Sequence, residues 1–431
     1  MPGYKIAMLG WEFPPFSSGG LGTHCYELSK ALAARGVQID FFMPKTRYDI
    51  RSPWMEIHQV DWAALSAAGA KPKLPPKYGA YYSPGSPASK AAAPPSNAGA
   101  SKTYDFNFFE AVSVFNYLSE SLIAKLHAER GFDAVHCHDW ITSRAGISLS
   151  ENAGLPFVLT MHSTEYDRTA DLWPFEWILE VEREAMAKAD QVITVSRRSA
   201  DQLRDRLGGN PEKINVIYNA IDSEKFPSEK LGLSDAGRES KVVLYHGRLS
   251  VQKGVEFFLR SAAKVLSTDR DVRFVVSGNG DMLPRLVEMG IDLGIQDKVS
   301  FLGYVSDEHL KKIFATADLF VLPSVSEPFG IAALEAMASG VPVIVSKTSG
   351  VAELVKNCLV VDFWDVDEMA SKMLAVLKYA PLHDEMRDNS LAEVKRITWD
   401  HAAEMTIAVY SKAVAAGAGN KAPRAAVARL T

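Results

Sequence analysis

Short apolar runs recur along this chain, each followed by a glycine-containing loop and then by apolar residues at helical spacing. KIAML at 5–9 opens the series, and FSSGGLGTH at 16–24 supplies the loop. Leu21, Cys25, Leu28 and Leu32 form one helical face, stopped at Gly36, and Val37–Met43 is the next strand. Strand, loop, helix, strand is the opening of a parallel α/β domain, because the helix carries the chain back along one face of the sheet. Further strands are predicted at Ala134–His138, Phe157–Met161 and Gln191–Val195. A second series starts with KVVLYHG at Lys241 and continues through DVRFVVSG, KVSFLGYV, DLFVLPS, VPVIVS and CLVVD. The expected architecture is two doubly wound, Rossmann-like halves: a first domain over 1–222, a linker over 223–240 and a second domain over 241–397. A last helix at 398–416 packs back on the first domain, and 417–431 is a frayed tail.

Residues 66–103 interrupt the pattern with Ala, Pro, Ser and Gly and are read as a flexible insertion or an acceptor-binding lid. The rest has an ordinary globular composition, with 47% hydrophobic and 23% charged residues in a chain of 431. A net charge of −5 argues against nucleic acid as a partner. Cys25, Cys137 and Cys358 are too few and too scattered for a disulfide framework. No apolar run reaches the roughly 18–20 residues that span a bilayer. The N-terminus lacks the character of a signal peptide, so a cytoplasmic location without a transmembrane segment is expected.

Several segments carry chemistry. In YHGRLSVQKG, residues 245–254, Arg248 and Lys253 follow a strand and converge beside a helix start, a site for a diphosphate. The glycines of FSSGGLGTH let backbone approach an anion, although neither a Walker A loop nor G-x-G-x-x-G is present. SGNGD at 277–281 reads as a tight strand-to-helix turn. Asp365-Val366-Asp367 reads as a helix N-cap in preference to a metal site, and no resident metal or cofactor is expected. His136 and His138 surround Cys137 in VHCHDW without the further close ligands zinc needs, and one or both are read as core histidines. His162 follows a strand, where parallel sheets place ligands, and Asp139 and Trp140 hold the same kind of position. The acidic, aromatic stretch DLWPFEWILEVEREAMAKAD at 171–190 reads as packing or as a sugar platform, since a membrane-surface helix would be basic.

SEPFGIAALEAMASG at 326–340 sets two acids around an apolar run. Glu327 precedes Pro328 and so ends a loop; a helix is expected from about Phe329 to Gly340 with Glu335 on its wall. Such a pair grips a hydroxylated ligand at two separated points.

Together, Glu327-x7-Glu335, the G-R-x4-K-G of 247–254 and the N-terminal GGLG resemble the retaining glycosyltransferases of the GT-B fold that use nucleotide-diphosphate sugars. The likeness is nearest the glycogen and starch synthase branch. It covers the chain apart from 66–103 and the tail, and implies two Rossmann-like domains facing across a cleft. It implies that Glu327 binds donor-sugar hydroxyls, that Glu335 holds the ribose, and that backbone N–H groups at Phe329, Gly330 and Ile331 face the sugar or phosphate. Arg248 and Lys253 would stabilise the departing diphosphate, Gly20 and Gly22 would close over it, and His162 would touch the transferred sugar. Tyr304 and Val305 resemble the segment receiving the base. HDW at 138–140 is similar to the glucan synthases, placing Asp139 and Trp140 on the acceptor side. The implied reaction moves a hexose, glucose first, from ADP- or UDP-glucose to an α-1,4-glucan. Another acceptor (a small sugar, a lipid carrier or a surface polysaccharide) stays open, as does a sugar-nucleotide epimerase. Ser17 stands where such synthases usually carry lysine, and Ser163 where they carry asparagine; both departures concern the acceptor.

Overall fold

The computed structural model describes residues 3–15, 19–61, 108–226 and 240–419. The 66–103 insertion, Ser17, most of the 223–240 linker and the tail beyond 419 lie outside the described residues. Among the described residues, thirteen strands build two all-parallel sheets. The first holds β1 (Lys5–Leu9), β2 (Gln38–Pro44), β3 (Glu56–Val60), β4 (Ala134–His138), β5 (Phe157–Met161), β6 (Gln191–Thr194) and β7 (Ile214–Val216), in the order β3-β2-β1-β4-β5-β6-β7. The second holds β8 (Lys241–His246), β9 (Val272–Ser277), β10 (Val299–Gly303), β11 (Leu319–Leu322), β12 (Val343–Ser346) and β13 (Leu359–Val361), in the order β10-β9-β8-β11-β12-β13. In both, the first strand lies inside the sheet and the order reverses beside it, the doubly wound arrangement that opens a crevice at the strands' C-terminal ends.

The central strands are continuous apolar runs because helices cover both of their faces. β4 and β5 are buried throughout. β3, EIHQV, is an edge strand of half-exposed and exposed residues. It lacks the apolar run by which the others are recognised, as does the three-residue edge strand β7.

The helix Trp399–Gly419 returns to the first half. Trp399, Ala403, Ile407, Tyr410 and Ala413 pack into one buried cluster with Cys25, Leu28 and Leu32 of the Gly20–Ala34 helix. Each large apolar side chain so buried contributes about 1.5–3 kcal/mol. The exposed rim is tied by Arg35, which bonds Asp400 and Glu404 at 2.5 and 3.0 Å.

The two halves touch at defined points. The Ile221 N–H donates to the Ile397 carbonyl at 3.2 Å, joining the two crossings of the chain. Glu353 accepts from the backbone N–H of Arg197 and Arg198, both at 2.8 Å. A carboxylate from the second half thereby caps the Arg197–Leu207 helix of the first, where the N–H groups are unsatisfied and the helix dipole is positive.

Candidate active site

The loops after β8, β9 and β10 fasten to one another through backbone. Gly247 N–H donates to Ser277 O at 3.0 Å, Leu249 N–H to Asn279 O at 2.9 Å and Gly278 N–H to Gly303 O at 2.8 Å. A Cβ on Gly278 would lie 1.9 Å from Gly247 O, so SGNGD is a turn whose glycine admits a neighbouring backbone. The seam leads into one 3₁₀ turn, Val251–Lys253, ended by Gly254.

Lys253 Nζ donates to Glu327 Oε2 at 2.6 Å, and Ser324 Oγ donates to the same oxygen at 3.1 Å. Glu327 is buried, and its backbone forms a parallel bridge with Ser349. Acid and cation are therefore preorganised as a pair. Gly330, at φ 105°, turns the chain into the helix Ile331–Ala338. This start is later than the Phe329 expected from sequence. The Phe329 side chain is buried in the core of the second half, so its ring anchors the loop. Ile331 is half-buried, with Cδ1 3.5 Å from the position a Cβ on Gly20 would take. Gly20 thus meets the second half across the cleft, whereas Gly22 is buried within its own helix.

Glu335 is half-buried one turn on. Burial, followed by the nearby Asp307, pushes its carboxyl up to about 7, with Lys311 opposing. A folded-state value above the usual 4.5 means that the ionised form is disfavoured in the fold. The ligand-free protein then loses stability at this site as pH rises between those two values. Glu335→Gln is expected to stabilise it by about 1–3 kcal/mol at about pH 8 and hardly at all near pH 4, read by thermal unfolding. An equal gain at both would assign the effect to something other than ionisation.

Arg248 is exposed, while its carbonyl accepts from Tyr245 Oη at 2.9 Å. Tyr304 is exposed after β10, and Val305 packs partly against the core.

On the facing half, His138 Nδ1 and His162 Nε2 share a hydrogen bond of 3.0 Å at the ends of β4 and β5. The His24 ring stacks edge-on to His162 with centroids 4.4 Å apart, and its Nδ1 donates to Asn219 Oδ1 at 2.7 Å. Desolvation lowers His24 to about 4 and holds His138 and His162 well below the usual imidazole range, so all three are neutral near pH 7. His136 is a core histidine, bonded to Tyr410 Oη at 2.8 Å and Thr160 Oγ1 at 2.7 Å.

Trp140 departs from the acceptor-side expectation. Trp140 is buried against Ile141, Ile178 and Val181, because the helix beginning there turns it inward. Asp139, at φ 59°, accepts through Oδ1 from the His162 N–H at 2.7 Å and the Ser163 N–H at 3.4 Å. It anchors the His162 backbone. Asp139→Ala is expected to lower kcat about tenfold, with substrate KM changing less, as the His162 backbone loses its anchor. A KM-only change would remove this role.

Ser163 is also occupied, its carbonyl and hydroxyl accepting from Arg168 Nη1 at 2.9 and 3.2 Å. The turn it begins joins the halves: Ser326 Oγ, beside Glu327, donates to Asp167 Oδ1 at 2.7 Å, both residues being buried. His162 and Glu327, on different domains, are thus set by one short hydrogen-bonded path. Of these links, His24–Asn219 and Asp167–Ser326 had no signal in sequence spacing.

Among the described residues, two groups of side chains are close enough to share a metal ion. His24, His138 and His162 each bring one nitrogen within 4.8 Å of the others, and Asp40, Glu56 and His58 are similarly grouped. Arg130 pairs with both acids of the second group. Asp365 caps the Val366–Lys378 helix by accepting from Glu368 N–H at 2.9 Å, which employs that acid of D-x-D structurally.

Two facing Rossmann-like domains, with an acid–lysine pair at the mouth of a helix on one and a neutral histidine on the other, define a GT-B transferase. Residues 18–225 match the family described as Glycosyltransferase Family 4, and residues 234–392 match Glycosyl transferases group 1. An uncharacterized glycosyltransferase of Methanocaldococcus jannaschii is 30% identical over 440 residues, covering 95% of this chain and 98% of its own. The chain belongs to the group 1 glycosyltransferases.

A glycogen synthase of Mycobacterium tuberculosis is 28% identical, over 82% of this chain and 80% of its own. A D-inositol 3-phosphate glycosyltransferase of Acidothermus cellulolyticus is also 28% identical, over 95% of this chain and 91% of its own. In fold, the chain matches sucrose-phosphate synthase of Thermosynechococcus elongatus at TM-score 0.75, with 21% identity and 96% and 100% of the chains covered. It matches the catalytic domain of Arabidopsis thaliana starch synthase IV, bound to ADP and acarbose, at 0.72, with 18% identity and 96% and 99% covered. Among the described residues no helix is long and apolar enough to cross a membrane.

Proposed function

We propose that this enzyme transfers glucose, with retained anomeric configuration, from ADP- or UDP-glucose to the end of an α-1,4-glucan. The observation that carries the reading is the Lys253–Glu327 pair at the mouth of the Gly330-capped helix. Lys253 and Arg248 would neutralise the diphosphate as the bond from sugar carbon to phosphate oxygen breaks, so that charge is stabilised where it develops. The acceptor hydroxyl would attack the face the diphosphate leaves, its proton passing to the departing phosphate oxygen. A carboxylate nucleophile is not required. Glu327 is bonded to Lys253 and Ser324, and Asp139 to backbone N–H groups. Glu335 would hold the ribose hydroxyls, and Tyr304 would lie near the base.

The acceptor assignment draws support from the glycogen synthase relative and from charge. A phosphorylated acceptor, such as the name of the inositol phosphate enzyme implies for that protein, needs a cation to receive it. Arg168, which bonds Ser163, the residue after His162, is already committed to Glu182 at 2.6 Å and to Glu165 at 3.1 Å. An uncharged acceptor fits better.

The test is nucleoside-diphosphate release from ADP-, UDP- and GDP-sugars, with and without malto-oligosaccharide, and product sizing by mass. Glucan-dependent turnover that adds one hexose supports the reading; turnover of donor with no extension removes the glucan. Transfer is expected to persist in EDTA, and full loss restored by Mn²⁺ would overturn the metal-independent mechanism.

A further inference from the structure

The segment following the His162 turn is hydrogen-bonded, strained and apolar at its surface. Leu172, Trp173 and Phe175 are 56%, 66% and 43% exposed. Chains rarely leave neighbouring large apolar groups in water without a use. These three are not the product of a loose loop. The Asp171 N–H donates to Tyr166 O at 2.8 Å, and the Leu172 N–H donates to Thr169 O at 3.1 Å. Arg206 grips Asp171 with two bonds of 2.8 Å and lies 3.5 Å over the Tyr166 ring. Ala170 and Asp171 stand at φ 51° and 61°; with Asp139 they are the three non-glycine residues of positive φ among the described residues. Asp139 bonds the His162 N–H, and Ala170 and Asp171 lie in the segment that follows it; strain of this kind persists where the surroundings enforce it and function uses it.

Charge narrows the ligand. From 163 to 190 the cations are Arg168, Arg183 and Lys188, paired with Glu182, Glu176 and Glu151 respectively, and Arg206 is paired with Asp171. Glu180 is exposed nearby. Such a surface repels phosphate and anionic lipid. It suits an uncharged polyhydroxylated chain: the C–H faces of pyranose rings lie on the electron-rich faces of aromatic rings, and carboxylates accept from hydroxyls.

Resting on the acceptor reading above, we propose that Leu172, Trp173 and Phe175 form a secondary binding platform for the body of an uncharged glucan. The chain's end then enters the cleft beside His162. The enzyme would hold a polymer at two places, raising the local concentration of ends at the site.

The experiment is native gel electrophoresis of the full-length protein in gels containing soluble α-1,4-glucan. Vesicles of phosphatidylglycerol are tested separately by sedimentation. Retardation by glucan is expected, and Trp173→Ala and Phe175→Ala are expected to weaken the apparent affinity about tenfold or more. Trp364→Ala, 60% exposed on the second domain, serves as the control and should migrate as the wild type does. Nucleoside-diphosphate binding, measured in parallel, reports that each variant is folded. Retardation that the Trp173 and Phe175 variants keep in full overturns the platform, as does sedimentation with vesicles in place of glucan binding. If the wild type extends malto-oligosaccharides but is not retarded, the platform falls and the proposed function stands. If the platform binds glucan while no donor extends it, the proposed reaction falls and the platform stands.

Discussion

Lys253→Ala is expected to lower kcat by about 10²–10³-fold, the scale of losing one charge contact made to a leaving group in the transition state. It should also cost about 3 kcal/mol of stability, because Glu327 stays behind as a buried acid without its cation. The two effects have different origins and can be separated. Adding Glu327→Gln removes the stranded charge, so the double variant should recover much of the stability and none of the turnover. Urea unfolding and single-turnover transfer, measured on the wild type, both single variants and the double variant, form the complete cycle. Turnover within a few-fold of wild type in Lys253→Ala would remove the lysine from diphosphate stabilisation. Full stability in the same variant would mean that Glu327 is hydrated, contrary to its burial.

Gly254→Ala is expected to be nearly as damaging without touching a charge. The residue after Lys253 sits at φ 64°, and a Cβ there would lie 2.1 Å from the carbonyl oxygen of Pro323. That oxygen belongs to the loop leading to Glu327, so the collision pushes apart the two segments that the Lys253–Glu327 pair joins. A cost above about 3 kcal/mol and near-complete loss of activity are expected. Gly36→Ala separates conformation from collision: φ there is 86° with nothing within 4 Å, so only about 1 kcal/mol should be lost. Equal unfolding midpoints for the two variants would show that the Pro323 contact relaxes cheaply.

Both predictions fall in loops at the C-terminal ends of strands, where the sequence was most legible. The apolar runs that became β4, β5, β8 and β11 could be read because helices on both faces leave no polar alternation. β3 could not be read in the same way: at an edge, EIHQV half-faces water and carries polar groups. The acid at 327 and the lysine at 253 were each visible as residues in strand-end loops. Their salt bridge was not, since 74 residues separate them.

Trp140 shows the opposite failure. Its place after β4 pointed to the cleft, but the helix that starts there rotates its side chain into a cluster with Ile178 and Val181. Strand-end position is a property of chain order; side-chain direction depends on helix phase and on which neighbours arrive. The bond from the His162 N–H to Asp139 was likewise not legible in chain order.

By itself, the sequence determined what depends on local periodicity and local turn chemistry. That includes two parallel α/β halves, the loops that bear the acid, the cations and the histidine, and the likeness that names the family. Only the tertiary structure decided which groups are spent on each other and which remain for a ligand. Glu327 is paired with Lys253, Asp139 with backbone, and Arg168 with two acids, while Arg248 and Trp173 face solvent. The physical reason is range. Strand and helix patterns arise from neighbours a few residues apart, whereas burial and ion pairing are settled by contacts between segments that chain order leaves far apart, such as Ser326 and Asp167 across the two domains.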